Sequence, residues 1–219
     1  MKKVVITGAS GMIGNIVLQH CIASTEIAEI VSIVRKPSST INAKVKEVVL
    51  DNFLDYKTIQ NSLNNCDIAY FCIGVYTGAV PDAEFRTITV DYTIAFANAI
   101  KQYSPNATVC FLSGAGADRS EKSKVSFAKY KGIAENYLIA TAFKQLYIFR
   151  PGYIYPVQKR KEPNLFYAFL RVIYPVIKPL IATQSVTSDV LGKVIFTKGL
   201  DGAAINTFEN VDITKAYND

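Results

Sequence analysis

A chain of 219 residues, 50% apolar and 19% charged, can bury a sizeable core in one globular domain. No apolar run approaches the roughly 20 residues that span a bilayer, and Val4-Val5-Ile6 after Lys2-Lys3 is too short for a signal peptide. The net charge of +6 is dispersed apart from Arg119, Lys122, Lys124, Lys129 and Lys131, with no basic helix or aromatic-interleaved motif, so nucleic-acid binding is not expected and a solvated surface plus an anionic small molecule accounts for the charge.

The elements read in chain order as alternating strands and helices. Val4–Ile6 is a strand and Met12–Ala23 a helix; Ile30–Val34 and Val45–Leu50 are strands, Asp55–Leu63 a helix, and Ile68–Cys72 a strand. A long helix spans about Phe85 to Tyr103, followed by strand Ala107–Leu112, helix Phe127–Ala142 and strand Leu146–Phe149. Strands apolar on both faces, alternating with helices, predict a doubly wound parallel α/β sheet of order 3-2-1-4-5-6, a Rossmann fold. After Pro151 the rhythm changes. Pro156, Pro163, Pro175 and Pro179 punctuate a stretch that holds the apolar segment Leu165–Ile181; Val186–Thr197 reads as a helix, Ile205–Phe208 as a strand and Asn210–Tyr217 as a last helix. Without a linker or repeat, residues 1–219 are expected to form one domain, with about 153–219 as its C-terminal elaboration. The helically spaced Phe166, Phe169, Leu170, Ile173 and Ile177 within Asn164–Ala182 suit core packing, a lid, a dimer face or a membrane-surface contact.

The most informative motif is Thr7-Gly8-Ala9-Ser10-Gly11-Met12-Ile13-Gly14. A glycine-rich turn that ends a strand and opens a helix lays a dinucleotide pyrophosphate on the helix N-terminus, where free N–H groups and the helix dipole favour negative charge. Gly8 permits the tight turn, Gly11 lets backbone approach the phosphates, and Gly14 lets the helix pack close.

Ligands on such a sheet lie beyond the C-terminal strand ends, so those residues are the candidates. Strand two ends Val34-Arg35-Lys36, where an NAD-preferring site usually offers an acid; the Arg35 guanidinium instead suits a 2′-phosphate, favouring NADP(H) over NAD(H). Asp51-Asn52 could bond the adenine edge. Cys72-Ile73-Gly74 lets backbone pass the ribose, Ser113-Gly114-Ala115-Gly116 leaves room for the nicotinamide, and Pro151-Gly152 shapes its carboxamide side.

Taken together, Thr7–Gly14, Asp51, Phe71-Cys72-Ile73-Gly74, Leu112-Ser113 with Gly116-Ala117-Asp118, Lys131-Gly132 and Arg150-Pro151-Gly152 resemble the atypical short-chain dehydrogenases that include the Tat-interacting-protein oxidoreductases. The resemblance implies NADPH on a Rossmann fold. It also implies a Tyr-x-x-x-Lys pair on one helix face and a serine after strand five, here Ser113 and Lys131 as catalytic candidates. In this sequence the tyrosine position holds Phe127, which carries no proton to give, and Gly114 and Ala115 stand where relatives often have further hydroxyls. Tyr130 faces elsewhere on the helix, and the pairs Tyr155/Lys159 and Tyr174/Lys178 enclose prolines.

Other chemistries find little support. His20 is the one histidine, which leaves no Ser-His-Asp triad or multi-histidine metal site, and no close carboxylate pair points to hydrolysis. Cys21, Cys66, Cys72 and Cys110 are scattered in apolar patterns and read as reduced core thiols of a cytoplasmic protein. Two functions remain: an NADP(H)-dependent oxidoreductase acting on a small carbonyl or alcohol, with Tyr76, Tyr130, Tyr153 or a water as proton donor, or a catalytically impaired NADP(H) sensor that acts through a protein partner. A homodimer is also left open.

Overall fold

The computed structural model describes residues 1–38, 42–158, 174, 181 and 183–218. β1 (Lys2–Thr7) passes through the glycine turn into α1 (Met12–Ala23), and β2 (Ile27–Val34) and β3 (Val45–Val49) follow. A 3-10 turn, Lys57–Ile59, runs into the short α2 (Gln60–Leu63), then β4 (Ile68–Phe71). Next come α3 (Asp82–Arg86), α4 (Tyr92–Tyr103), β5 (Thr108–Leu112), α5 (Ser126–Ala140) and β6 (Gln145–Arg150). β7 (Tyr153–Tyr155), β8 (Ser185–Thr187), α6 (Ser188–Asp201), β9 (Thr207–Glu209) and α7 (Asn210–Asn218) complete the described elements.

Seven strands form one parallel sheet in the order β3-β2-β1-β4-β5-β6-β9, while β7 and β8 pair separately. The six expected positions are as the sequence reading has them, and β9 extends the sheet beyond β6. Alternate residues of β1 feed two cores. Val4 and Ile6 pack with Ile68, Tyr70 and Cys110 under α1 and α6, whereas Val5 packs with Val31, Phe71 and Phe111 under α4 and α5. Burial on both faces is why the strands read as continuous apolar runs.

Differences from the sequence reading have local causes. The helix expected from Phe85 begins at Asp82, after Pro81, with Asp82 and Glu84 in its first turn, where acids favour the helix dipole. It is then interrupted by a π-turn over Thr87–Asp91, where four β-branched residues in succession crowd the α geometry. The helix expected from Val186 starts at Ser188 because Thr187 caps it, its hydroxyl accepting from the Val190 N–H at 3.4 Å, and Ser185–Thr187 is a strand instead. Tyr153–Tyr155 was not expected to be a strand. The segment Asn164–Ala182 lies outside the described residues except for Tyr174 and Ile181, as do Lys159 and Lys178.

Close packing of α5 on the loop after β5 depends on Gly132: a Cβ there would stand 1.8 Å from the Asp118 carbonyl oxygen. Gly132→Ala is therefore expected to lower stability by about 1–3 kcal/mol in denaturant unfolding. Gly74→Ala, whose Cβ meets nothing within 4 Å, should change it far less.

Candidate functional site

The glycine turn places the N-terminus of α1 at the C-terminal end of β1. Gly8 has φ +80°, and a Cβ on it would lie 2.6 Å from the Cys72 carbonyl carbon, so the turn rests directly on the end of β4. Gly14 approaches the Gly8 carbonyl so closely that its Cβ would be 2.1 Å from that oxygen. Its close packing is thus against the turn itself. Gly11 caps α1 with no side-chain hydrogen bond, and no acid occupies the first turn. The Gly11 N–H donates to the Gly8 carbonyl at 2.9 Å, leaving the first helical N–H groups, from Met12 onward, facing the cleft beside exposed Ser10. Such a terminus holds an anion without further help.

Arg35 is exposed just past β2 and makes no ion pair among the described residues. Glu47 of β3 is taken up by the Ser38 N–H at 2.9 Å. Asp51 and Asn52 are exposed past β3. Asn52 spends its side-chain oxygen on the Leu54 N–H at 3.0 Å, so only its amide NH2 is left for a base edge, and Asp55 accepts from Lys57 at the 3-10 turn.

Cys72, Ile73 and Gly74 continue β4, with Cys72 buried and its thiol pushed up to about 12 by that burial, against a smaller pull from Lys131. All four cysteines are free and buried, and the thiols of Cys21 and Cys66 are likewise pushed up to about 12. His20 stacks on Phe196 at 5.5 Å, away from the cleft. Among the described residues, no three His, Cys, Asp or Glu side chains converge as a metal site.

Beyond the ends of β5 and β6 the structure brings Ser113, Lys131, Pro151 and Gly152 together, with Ser113 and Lys131 each bonded to a protein acceptor. The Ser113 hydroxyl donates to Glu135 at 2.6 Å, turned into the protein rather than toward a substrate. The Lys131 ammonium donates to the Leu112 carbonyl at 3.0 Å and lies 5.0 Å from the Phe111 ring centre. Gly152 is fixed by Asn210, whose side-chain oxygen accepts the Gly152 N–H at 2.9 Å while its NH2 donates to the carbonyls of Thr183 and Ser185.

Glu135 is the residue that the sequence reading missed. It has 0% exposure and accepts from Ser113, from Arg119 Nε at 2.7 Å and from Arg150 Nε at 2.9 Å. Burial pushes its carboxyl up, but the hydrogen bonds from Arg150 and Ser113 and the two guanidinium charges outweigh it and hold the carboxyl below its ordinary value. Arg150 reaches on to Glu209 at 2.8 Å and Arg119 to Thr207 at 3.0 Å, so the network ties α5 to the ends of β5, β6 and β9. A signal was present: Arg150 ends an apolar strand and needs an acid, and Glu135 follows Lys131 by one helical turn on the same face.

A cavity of about 590 Å³ opens beside this end, lined by Ala115, Gly116, Gly152, Tyr153, Glu209 and Asn210 among others. Its volume is that of a small-molecule site.

A family model described as NAD(P)H-binding matches residues 8–156, more than half of the chain. The chain belongs to this NAD(P)H-binding family. Across 211 residues, covering 91% of this chain and 88% of the relative, it is 26% identical to a protein named fmp52, mitochondrial, from Emericella nidulans. The fmp52 protein of Aspergillus niger is 26% identical over 169 residues, which cover 74% of this chain and 71% of that one. Among solved structures, the thiolation-reductase di-domain of an archaeal non-ribosomal peptide synthetase superposes with a TM-score of 0.72 at 15% identity, covering 95% of this chain and 70% of that one. WbmG of Bordetella bronchiseptica, solved with NAD, superposes at 0.70 and 13%, covering 99% and 76%. At these identities the structures show the fold, a Rossmann-like parallel sheet.

Within this NAD(P)H-binding frame the candidate proton donors divide. The Tyr130 phenol donates to Asp82 at 2.6 Å, and that bond raises its pKa. Tyr153 lines the cavity, its ring 5.6 Å from that of Tyr174. Tyr76 lies half-buried in the loop after β4.

Two stability measurements follow. Glu135→Gln leaves two guanidinium groups without a buried carboxylate and is expected to cost about 3 kcal/mol or more in denaturant unfolding. Lys131 is pulled down to about 8 by burial, with Glu135 and Cys72 opposing. The folded protein therefore pays for a buried ammonium below about pH 8, and the cost is relieved toward the unfolded value of about 10.4. Unfolding curves of wild type and Lys131→Met should show the balance moving in favour of wild type as pH rises through that window, by order 3 kcal/mol.

Proposed function

We propose that this chain binds NADP(H) and transfers hydride between it and a small carbonyl or alcohol substrate held in the cavity beside Gly152 and Tyr153. A bound nicotinamide supplies the hydride chemistry; the protein supplies the place and orientation. The observation that carries the reading is the uncapped, acid-free N-terminus of α1 with the Arg35 guanidinium, which has no ion pair among the described residues, at the end of β2. WbmG was solved with NAD, and an acid at the β2 end would suit that cofactor, whereas a guanidinium suits a 2′-phosphate. In this arrangement Met12, Ile13 and Gly14 would meet the pyrophosphate, Ala9 and Ser10 would flank it, and Arg35 would hold the 2′-phosphate. Asp51 and Asn52 would reach the adenine, Cys72–Gly74 the ribose, and Lys131 and Pro151-Gly152 the nicotinamide end.

A second reading, an NADP(H) sensor acting through a protein partner, is favoured by Ser113 facing Glu135 and by Phe127 at the tyrosine position. It calls for tight binding without turnover. For the compartment, the sequence reading favours the cytoplasm, while the fmp52 relatives are named mitochondrial; no helix among the described residues is long and apolar enough to cross a membrane. Reduced, buried thiols suit either location.

Parallel titrations with NADPH and NADH on wild type and Arg35→Ala test the cofactor assignment. Arg35→Ala should weaken NADPH roughly ten- to a hundredfold, the worth of a charge-assisted pair of bonds, and leave NADH unchanged. Equal affinities for the two nucleotides, insensitive to Arg35→Ala, would refute the NADP(H) preference.

A further inference from the structure

We infer that this protein has a second ligand site, a cavity against the open edge of β6 that takes a small organic carboxylate with an apolar body. The site is independent of the NADP(H) reading and of the cavity beside Gly152.

The cavity exists because β9 is shorter than the strand it pairs with. β6 spans Gln145–Arg150, but β9 begins at Thr207 and is in register only with Ile148, Phe149 and Arg150. Two bonds, both of 2.8 Å, fix which residues of β6 face which neighbour. The Phe149 carbonyl accepts from the Ser113 N–H on the β5 side, and the Ile148 N–H donates to the Asn206 carbonyl on the β9 side. Leu146 alternates with Ile148, so its N–H and carbonyl face the β9 side before β9 has begun. In the place of the missing strand lies a cavity of about 400 Å³, lined by Leu146, Ile139, Phe143 and Ala203 together with Arg119 and Lys144. Its volume is that of a small-molecule site, and it shares no lining residue with the cavity beside Gly152.

Its charge is one-signed. Among the described residues two cations, Arg119 and Lys144, and no acid line it. Arg119 Nε donates to Glu135 at 2.7 Å and Nη2 to Thr207 at 3.0 Å, which fixes the guanidinium plane, and Nη1 has no partner among the described residues. Glu135 divides one negative charge between Arg119 and Arg150, while Glu209 pairs with Arg150 and lines the other cavity. The charge of Arg119 is thus only partly compensated, on a side chain 36% exposed. A planar fork held in place with N–H groups to spare is matched by a carboxylate.

The carboxyl end of α5, where the helix dipole is negative, is covered by a cation: Lys101 donates to the Ala142 carbonyl at 2.8 Å. Ile139, 47% exposed on α5, and Phe143 offer apolar surface to the same cavity, which favours an organic anion over an inorganic one. The guanidinium that meets the ligand also holds Glu135, which in turn accepts from Ser113 at the end of β5.

The test titrates the isotope-labelled full chain with phenylacetate and, separately, with phenylacetamide, which keeps the apolar body and loses the charge. Backbone amide and arginine Nε–H resonances are followed by NMR. Phenylacetate should move the Leu146 amide and the Arg119 Nε–H to saturation, with a Kd about ten- to a hundredfold below that of phenylacetamide, the worth of charge-assisted hydrogen bonds. Ile139→Glu changes an exposed helix position, leaves Arg119 and its partners intact, and places a like charge in the cavity. With the fold checked in the same spectra, it should weaken phenylacetate about tenfold. Equal affinity for the acid and the amide, or affinity for the acid unmoved by Ile139→Glu, would overturn the inference. Shifts confined to Gly11, Met12 and Ile13 would overturn it by putting the anion on the glycine turn, and no shift at about 20 mM phenylacetate would overturn it outright.

Discussion

The contact on which the site depends is backbone on backbone: the first turn of α1 lying on the Gly8 carbonyl, and Gly8 lying on the end of β4. These approaches leave no room for a Cβ at either glycine. In return they put the positive end of a 12-residue helix at the sheet's carboxyl edge, with N–H groups that have no partner within the helix. A side-chain cap or an acid in that turn would have spent those groups internally. Neither is present, so those groups are left without a side-chain partner from the turn.

The opposite end of the cleft is organised by charge rather than by close approach. Glu135, wholly buried, is surrounded by donors from Ser113, Arg119 and Arg150, and Arg150 continues to Glu209. Burying these ions costs several kcal/mol each and is repaid only when every lone pair has a donor. The network therefore contributes registration more than net stability. It holds α5, which carries Phe127 and Lys131, at a fixed height over the ends of β5 and β6. The same registration turns Ser113 inward and sets Phe127 against Gly114. The network takes up the Ser113 hydroxyl, and Phe127 makes an apolar contact at the position where the resemblance calls for a tyrosine.

The glycine turn and Arg35 are legible in the sequence because their signals are local. Gly8, Gly11 and Gly14 follow one strand and open one helix, and Arg35 follows the next strand directly. Strand order was readable for a similar reason, since runs buried on both faces with helices between them admit few topologies. The surroundings of Ser113 and Lys131 are not, because their contacts join residues far apart in the chain. Glu135 meets Ser113 across 22 positions and Arg150 meets Glu209 across 59. Phe127 could be seen as a missing hydroxyl, but its end-on contact with Gly114 exists only once α5 is docked. β7 carries no sequence signal because three residues, Tyr-Ile-Tyr, are too short for a period to show.

The central claim is that the glycine turn and Arg35 together receive an NADP(H) molecule across the strand ends. A crystal structure of the chain saturated with NADPH tests it most directly. The account predicts pyrophosphate oxygens on the Met12 and Ile13 amides, the 2′-phosphate against the Arg35 guanidinium, and the nicotinamide between Ala115 and Gly152. A nucleotide bound elsewhere, or one bound with its 2′-phosphate away from Arg35, would contradict it.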